Sequence, residues 1–122
     1  EMTSDLKART KSFALDIVRL YSALSKRTEA QVLGRQMLRS GTSVGAHYHE
    51  AQRAKSNADF ISKMEGGLQE LEETGYWLDL LKEAGFVPEE AFNRLKQETS
   101  ELIAIFVSIV RKTRSRVKTP PL

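Results

Sequence analysis

The sequence contains no cysteine, which excludes disulfide frameworks, thiolate zinc sites and cysteine nucleophiles. It holds only 3 prolines and 7 glycines in 122 residues, which suits one compact domain rather than two. No apolar run approaches the roughly 20 residues of a membrane span, and residues 1–11 lack the apolar stretch of a signal peptide. We therefore expect a soluble cytoplasmic protein with no membrane partner, built as one domain over residues 1–118 with a disordered tail at 119–122.

Apolar residues recur at helical spacing along the chain, and no period-two alternation indicates a strand. The pattern predicts an all-α fold, an antiparallel up-down-up-down four-helix bundle. Thr28 is the expected N-cap of the second helix, Ser56 with Asp59 forms a capping-box variant before the third, and Gly85 is expected to end the third. The helices are predicted at about residues 4–24, 29–54, 56–84 and from Pro88 onward.

The middle of the second helix, residues 40–46, consists mostly of small or poorly helix-forming residues. Gly41 and Gly45 each cost about 1 kcal/mol relative to alanine inside a helix. Such a segment indicates a bend or a close backbone approach by a neighbour. The third helix instead shows a seven-residue repeat that predicts lengthwise packing against a partner helix: Phe60, Met64, Gly67, Leu71, Thr74, Leu78 and Leu81.

The fourth helix carries the most apolar stretch of the sequence, at residues 102–110. A helix that is apolar on nearly every side is buried on every side, whereas each helix of a monomeric four-helix bundle turns one face to water. The stretch therefore predicts a contact with another subunit. The predicted oligomer interface consists of Ile103, Phe106, Val107 and Val110.

The net charge of +3 is unevenly distributed along the chain. Residues 64–101 carry 3 basic and 10 acidic side chains, whereas residues 102–122 carry 5 basic and no acidic ones. In an up-down-up-down bundle the start of the first helix and the end of the fourth lie at the same end of the molecule. The candidate nucleic-acid-binding residues are Lys7, Arg9, Lys11, Arg111, Lys112, Arg114, Arg116 and Lys118.

Two interpretations of these cations remain open. They contact the phosphates of RNA or DNA, or they are solvated side chains that stabilise a helix C-terminus. Since no aromatic residue interleaves them in the sequence, neither base stacking nor sequence-selective recognition is expected.

The side chains that resemble metal-binding or catalytic groups have a structural explanation. His47 and His49 are two apart on a helix and point in different directions, so they cannot share a metal ion. Small hydroxyl residues near His47 lack the strained turn and oxyanion hole of a hydrolase. We expect no metal, no cofactor and no enzymatic activity. A polar layer is predicted instead, in which Arg39, Ser43 and Glu50 meet Glu70, Glu73 and Tyr76; its rival is a ligand-binding pocket in the bundle.

Several separated blocks closely resemble, in order and separation, the signature of the bacterial four-helix-bundle proteins encoded in intervening sequences of 23S ribosomal RNA genes. The resemblance spans about residues 10–85 and rests on residues 36–46 (QMLRSGTSVGA), Glu50-Ala51, Asp59-Phe60 and residues 73–78 (ETGYWL). It implies a ring-like homopentamer and structural roles for Arg39, Ser40, Ser43, Glu50, Glu73 and Trp77. His47 stands where the family usually has Asn, which puts any hydrogen bond of that Asn in question and brings a pH-sensitive side chain.

The resemblance also implies kinship with the accessory variability protein of diversity-generating retroelements, and hence a reverse transcriptase or another protein as a partner. The sequence therefore predicts a non-enzymatic, homopentameric accessory or scaffold factor that binds RNA or DNA backbones nonspecifically through its basic end. The alternative is a protein–protein assembly module with no nucleic-acid role.

Overall fold

The structure is a computed structural model in which the backbone is described for residues 2–118 and side chains from Leu6 to Val117. These residues form four α-helices and no strand: α1 (Met2–Ser22), α2 (Thr28–Gln52), α3 (Asn57–Glu83) and α4 (Glu89–Lys118). The predicted all-α fold with four helices is confirmed, and the predicted boundaries agree to within about two residues. The predicted tail at 119–122 lies outside the described residues.

Both ends of α3 are fixed by side-chain and backbone signals that the sequence contains. Ser56 is the N-cap, and its Oγ accepts a hydrogen bond from the Asp59 N–H at 3.1 Å. Just after the end of α3, Gly85 adopts a φ of 85°, and its N–H donates to the Lys82 carbonyl at 3.0 Å. The Phe86 N–H donates to the carbonyl of Leu81, which completes a Schellman motif.

The start of α2 differs from its prediction. Arg27, not Thr28, is the N-cap, with extended φ and ψ of −60° and 147° and no side-chain capping bond. The link is instead held by Gln31, whose Nε2 donates to the Ser25 carbonyl at 2.7 Å while its Oε1 accepts from the Tyr21 hydroxyl at 2.9 Å. The helix therefore begins at Thr28, one residue earlier than predicted, and Thr28 has no capping role.

The helices pack mainly against their neighbours in the sequence, whereas α1 and α4 meet more weakly. Between α2 and α3, Arg39 bonds to Glu73, and His47, later in α2, lies against Gly66, earlier in α3. The two helices therefore contact each other in opposite residue order. The same reversed order relates α1 to α2 and α3 to α4. Ion pairs join α1 to α4, one of them from Arg9.

The core forms along these contacts from the apolar stripes of all four helices. From Met64 to Leu81 the seven-residue repeat of α3 is buried at every position, as predicted for lengthwise packing, and only Phe60 at its start is partly exposed. The largest fully buried side chains are Leu6, Phe13, Ile17, Met37, Met64, Leu71, Leu78, Leu81, Leu95, Leu102 and Phe106.

The small-residue segment of α2 remains helical throughout and marks a close approach of α1. A Cβ atom added at Gly41 would lie 2.9 Å from Cγ1 of Ile17, and one at Gly45 would lie 3.3 Å from Oγ1 of Thr10. Of the two interpretations, the close backbone approach is therefore the one that the structure supports.

The apolar stretch of α4 requires a correction. Phe106 and Val110 are 0% and 4% exposed within the single chain, so their side chains belong to the core and do not reach a second subunit. Ile103 and Val107 are partly exposed and are the members of the predicted interface that reach the surface. Among the described residues, no helix is long and apolar enough to cross a membrane.

Candidate nucleic-acid interface

One end of the bundle, called the basic end below, collects cations from several helices. Arg114 of α4 pairs with Glu65 near the start of α3, and Thr10 near the start of α1 lies against Gly45 in the second half of α2. The starts of α1 and α3 and the ends of α2 and α4 therefore share this end. It contains most of the predicted cations: Lys7, Arg9, Lys11, Arg111, Lys112, Arg114 and Arg116.

Two of the predicted nucleic-acid-binding residues are engaged within the chain. Arg9 bridges α1 and α4 by donating to Glu98 at 2.6 Å and to Glu101 at 3.0 Å. The hydrogen bond to Glu98, with further contributions from Glu101, raises the pKa of Arg9. Arg114 is engaged by Glu65. Because their charges are already compensated, Arg9 and Arg114 are weaker candidates for phosphate contact than the sequence indicates.

The other predicted cations of the basic end are available. Lys7, Lys11, Arg111, Lys112 and Arg116 are exposed, and within the part of the chain that the structure describes none forms an ion pair with a carboxylate. The side chain of the remaining candidate, Lys118, lies outside the described residues. An exposed cation without an internal partner is the group that a phosphate can engage without breaking an existing pair.

Two further residues of the basic end were missed by the sequence analysis. His49 of α2 and Arg53, the C-cap of that helix, line a groove between α1 and α2, opposite Lys7 and Lys11 of α1. All four side chains are exposed, and no ion pair involves any of them within residues 6–117. The four-residue spacing of Lys7 and Lys11, which places both on one face of α1, is a signal in the sequence, whereas the position of Arg53 depends on where α2 ends.

The polar layer predicted between α2 and α3 is present in part, and this contact is called the α2–α3 seam below. Arg39 donates to Glu70 at 3.3 Å and to Glu73 at 2.6 Å, which confirms those pairs. The hydrogen bond to Glu70 is the chief cause that raises the pKa of Arg39. Deeper in the seam, the hydroxyls of Ser40 and Thr74 are hydrogen-bonded at 2.8 Å.

Three predicted members of that layer lie elsewhere. The Ser43 hydroxyl donates to the Arg39 carbonyl within its own helix. Glu50 is exposed and lies 3.8 Å from the imidazole of His47. Tyr76 is 56% exposed and packs edge-on against Trp77, which is itself partly buried against the core. The layer is therefore narrower than predicted and centred on Arg39.

The two histidines lie on different sides of α2, as their spacing predicts. His47 faces α3, with Nε2 3.8 Å from Glu70 and a buried Nδ1 that has no hydrogen-bond partner among the described residues. His49 faces the groove beside α1. Within the described residues, no group of three or more His, Cys, Asp or Glu side chains is placed to hold a metal ion.

The hydroxyl groups near His47 are engaged by backbone carbonyls or by a second hydroxyl. Thr42 and Ser43 donate to carbonyl groups of α2 at 2.7 Å, and Ser40 is paired with Thr74. A serine nucleophile needs a base within hydrogen-bond reach, and these bonds do not involve one. The arrangement is that of helix packing.

A family model described as 23S rRNA-intervening sequence protein matches residues 3–108. The chain belongs to this family. It is also similar to a crystal structure from Bacteroides thetaiotaomicron, of a protein with unknown function from the S23 ribosomal protein family, with 36% sequence identity and a TM-score of 0.86. That match covers 91% of this chain and 99% of the other. No curated protein matches the chain.

Membership of the 23S rRNA-intervening sequence protein family confirms the family that the sequence blocks predicted. The predicted kinship with the retroelement accessory protein stays a prediction. Because the match extends to residue 108, it includes the α2–α3 seam and the groove but not the cations from Arg111 onward.

Proposed function

We propose that this family member is a non-enzymatic accessory or scaffold factor that binds RNA or DNA nonspecifically through phosphate contacts at its basic end. The observation that carries the proposal is the set of exposed cations on α1 and α4 that no carboxylate engages within the described residues: Lys7, Lys11, Arg111, Lys112 and Arg116. Phosphate contacts carry no sequence information, so the binding is nonspecific.

The same proposal includes an antiparallel up-down-up-down bundle that assembles as a homopentamer. The partly exposed apolar side chains of Ile103 and Val107 on α4 support an interface there, since a contact with another subunit would cover them. Val107→Asp should convert the oligomer to monomers that keep their helical circular dichroism, measured with the mass by light scattering. A Val107→Asp protein that keeps the wild-type oligomeric mass would contradict the interface.

A non-enzymatic role is favoured because the polar side chains of the α2–α3 seam stabilise the packing. Glu70 and Glu73 are engaged by Arg39, and the hydroxyls of Ser40 and Thr74 by each other. A partner protein, such as the reverse transcriptase that the family resemblance implies, would then contribute any catalysis in the complex.

The test is a titration of the full chain against a structured RNA and a duplex DNA of equal length at several salt concentrations. The affinity for the duplex should fall as salt rises, with a log–log slope of about 0.9 per phosphate contacted. Arg111→Gln/Lys112→Gln should weaken binding to both nucleic acids and reduce the duplex slope by up to about 2. The matched control, Lys26→Gln/Arg35→Gln, removes one lysine and one arginine that are exposed and far from the basic end, and should bind like wild type.

A protein that binds neither nucleic acid at low salt would overturn this function and favour the assembly module. The uneven charge of the chain supports that rival, because an acidic surface on α3 and α4 of one copy could meet the basic end of another. Equal losses in the double variant and its control would likewise contradict a role for the basic end.

A further inference from the structure

The groove between α1 and α2 combines an apolar floor with a cationic rim. Its volume is about 480 Å³, within the range of roughly 300–1,000 Å³ that small-molecule sites occupy. Ala14 of α1 with Gly45 and Ala46 of α2 contribute apolar surface, and buried Tyr48 is also part of the lining.

Four cationic or potentially cationic side chains form the rim of the groove. Lys7 and Lys11 approach it from α1, and His49 and Arg53 approach it from the last turn and C-cap of α2. Elsewhere in the bundle many arginines are engaged by carboxylates, as Arg39 is in the α2–α3 seam. The rim therefore has a net positive charge that the described part of the chain does not neutralise, and this charge favours an anionic ligand.

The pairing of apolar surface with cations restricts the chemistry of that anion. Inorganic phosphate would use the rim and leave the floor hydrated. A nucleotide unit has a flat ring that can cover apolar surface and a phosphate that lysine or arginine can contact. His49 adds an exposed aromatic ring on which a base can stack.

We propose that the α1–α2 groove binds an unpaired nucleotide of a single-stranded nucleic acid, with the base on the apolar floor and the flanking phosphates at Lys7, Lys11 and Arg53. This inference rests on the proposed function and makes it more specific. It also revises the expectation that base stacking plays no part, because the fold places aromatic residues beside cations that are distant from them in the sequence.

The proposal predicts a preference that phosphate contacts alone do not produce. In a duplex the bases are stacked and paired, so a base enters the groove only after it has been unpaired and unstacked. A duplex can still contact the rim and the cations of α4 through its phosphates. Single strands should therefore bind more tightly than a duplex of equal length, and single-stranded RNA and DNA should bind alike, since no 2′-hydroxyl contact is invoked.

The decisive variant is Ala46→Leu, which fills the groove without changing any charge. Ala46 is an exposed residue of α2, so the larger side chain has room outside the core. The matched control is Ala58→Leu, the same change at an exposed position on α3 that does not line the groove. Lys11→Gln tests the rim, with Lys26→Gln at the opposite end of the bundle as its control.

The probes are a fluorescein-labelled single strand of mixed sequence, as RNA and as DNA, and a duplex of the same length, titrated at several salt concentrations by fluorescence anisotropy. Stacking of one base is worth about 1–3 kcal/mol, so wild type should prefer the single strands by roughly fivefold or more. Ala46→Leu should remove that preference and leave duplex affinity unchanged. Lys11→Gln should reduce the salt slope for the single strand by about 0.7.

The results separate the groove from the wider function. If wild type binds single strands and duplex equally, or if Ala46→Leu keeps the wild-type preference, the groove is not a nucleotide site although phosphate binding at the basic end stands. A preference confined to RNA would overturn the base-and-phosphate recognition argued here. If no probe binds at low salt, the proposed function fails together with the groove.

Discussion

The two helix contacts of α2, the α2–α3 seam and the α1–α2 groove, both combine small residues with charged ones, but only the seam pairs its charges. At the α2–α3 seam, small residues bring the helices close, and the charges are paired: Arg39 with Glu70 and Glu73. The hydroxyls of Ser40 and Thr74 bond to each other, whereas the buried Nδ1 of His47 and Oε1 of Glu70 have no hydrogen-bond partner among the described residues. At the α1–α2 groove, small residues again line the contact, but the cations at its rim have no carboxylate partner in the described part of the chain.

The difference teaches how to separate structural charges from functional ones within one protein. A charge that is paired across two helices fixes their register and is unavailable to a ligand. A charge that stays unpaired at a helix contact contributes little to stability and is free to bind. The predictions that follow compare the seam with the groove by making matched changes on either side of α2.

The largest effect is expected from adding one methyl group to the seam side. At Gly67 of α3 a Cβ would lie 3.4 Å from the Cβ of His47 across the seam and 2.7 Å from Cε2 of Phe106 on α4, a fully buried ring. Gly67→Ala should therefore lower the free energy of unfolding by about 1–3 kcal/mol in chemical denaturation. Gly45→Ala beside the groove meets only Thr10, at 3.3 Å, and should stay within about 1 kcal/mol of wild type.

Gly75→Ala is the control for the effect of alanine itself. Its nearest neighbour would be Nζ of Lys96, at 3.6 Å, so the gain in helix propensity should stabilise the protein by up to about 1 kcal/mol. If Gly45→Ala proves as costly as Gly67→Ala, the groove is packed as tightly as the surroundings of Gly67, between α2 and α4, and the contrast fails.

A smaller effect on stability is expected from removing a hydroxyl of α2, either at the seam or at the groove. Ser40→Ala deletes the buried bond to Thr74, which still donates to the Glu70 carbonyl, so the loss should be about 1 kcal/mol. Thr42→Ala removes an exposed hydroxyl that donates to a carbonyl of its own helix, and should be neutral or slightly stabilising in thermal unfolding. The reverse order of the two losses would argue against a buried polar contact at the seam.

Removing one positive charge at the seam or at the groove should change the free energy of unfolding by still less. Arg39 is 50% exposed at its side chain, so Arg39→Gln should cost roughly 0.2–1 kcal/mol at low salt and less at high salt. Lys11→Gln should change stability by less than about 0.5 kcal/mol at either salt concentration. Denaturant titrations at two ionic strengths measure both, and a salt-sensitive loss in Lys11→Gln would reveal a pairing that contradicts a free rim.

The smallest effect is expected on the loss of stability at acidic pH. A hydrogen bond from Gln97, and then one from Arg9, lowers the pKa of Glu101 in the folded chain. A carboxyl group whose folded pKa lies below its unfolded value stabilises the fold at pH above the unfolded value, and this contribution disappears as the pH falls through the folded one. Glu101→Gln should therefore slightly reduce the acid dependence of the melting temperature. Glu72→Gln, at an exposed position on α3, should leave that dependence as in wild type.

Features of the fold that depend on residues close together in the sequence could be predicted. The cap at Ser56, the left-handed Gly85 and the buried repeat of α3 each follow from residues within one helix. The predicted start of α2 was wrong by one residue: Arg27 is the N-cap without a side-chain capping bond, so no capping side chain marks it in the sequence.

The candidate site was harder to predict because it depends on how helices meet. The apolar stretch of α4 does not tell which of its faces the chain itself covers, so Phe106 and Val110 were assigned to an interface although they belong to the core. The groove depends on the separation of α1 from α2, which periodicity does not encode. His49 and Arg53 become part of a site only once Lys7 and Lys11 lie opposite.

Ionic strength should also affect the contact between α1 and α4, which is weaker than the other helix contacts. The bonds from Arg9 to Glu98 and Glu101, and from Arg94 to Asp16, join partly exposed side chains, so dissolved salt screens them. Lys7 and Lys11 are on the helix that these bonds hold. Raising the salt concentration would then both weaken phosphate contacts and loosen the segment that carries two of the cations, so affinity and local rigidity would decline together.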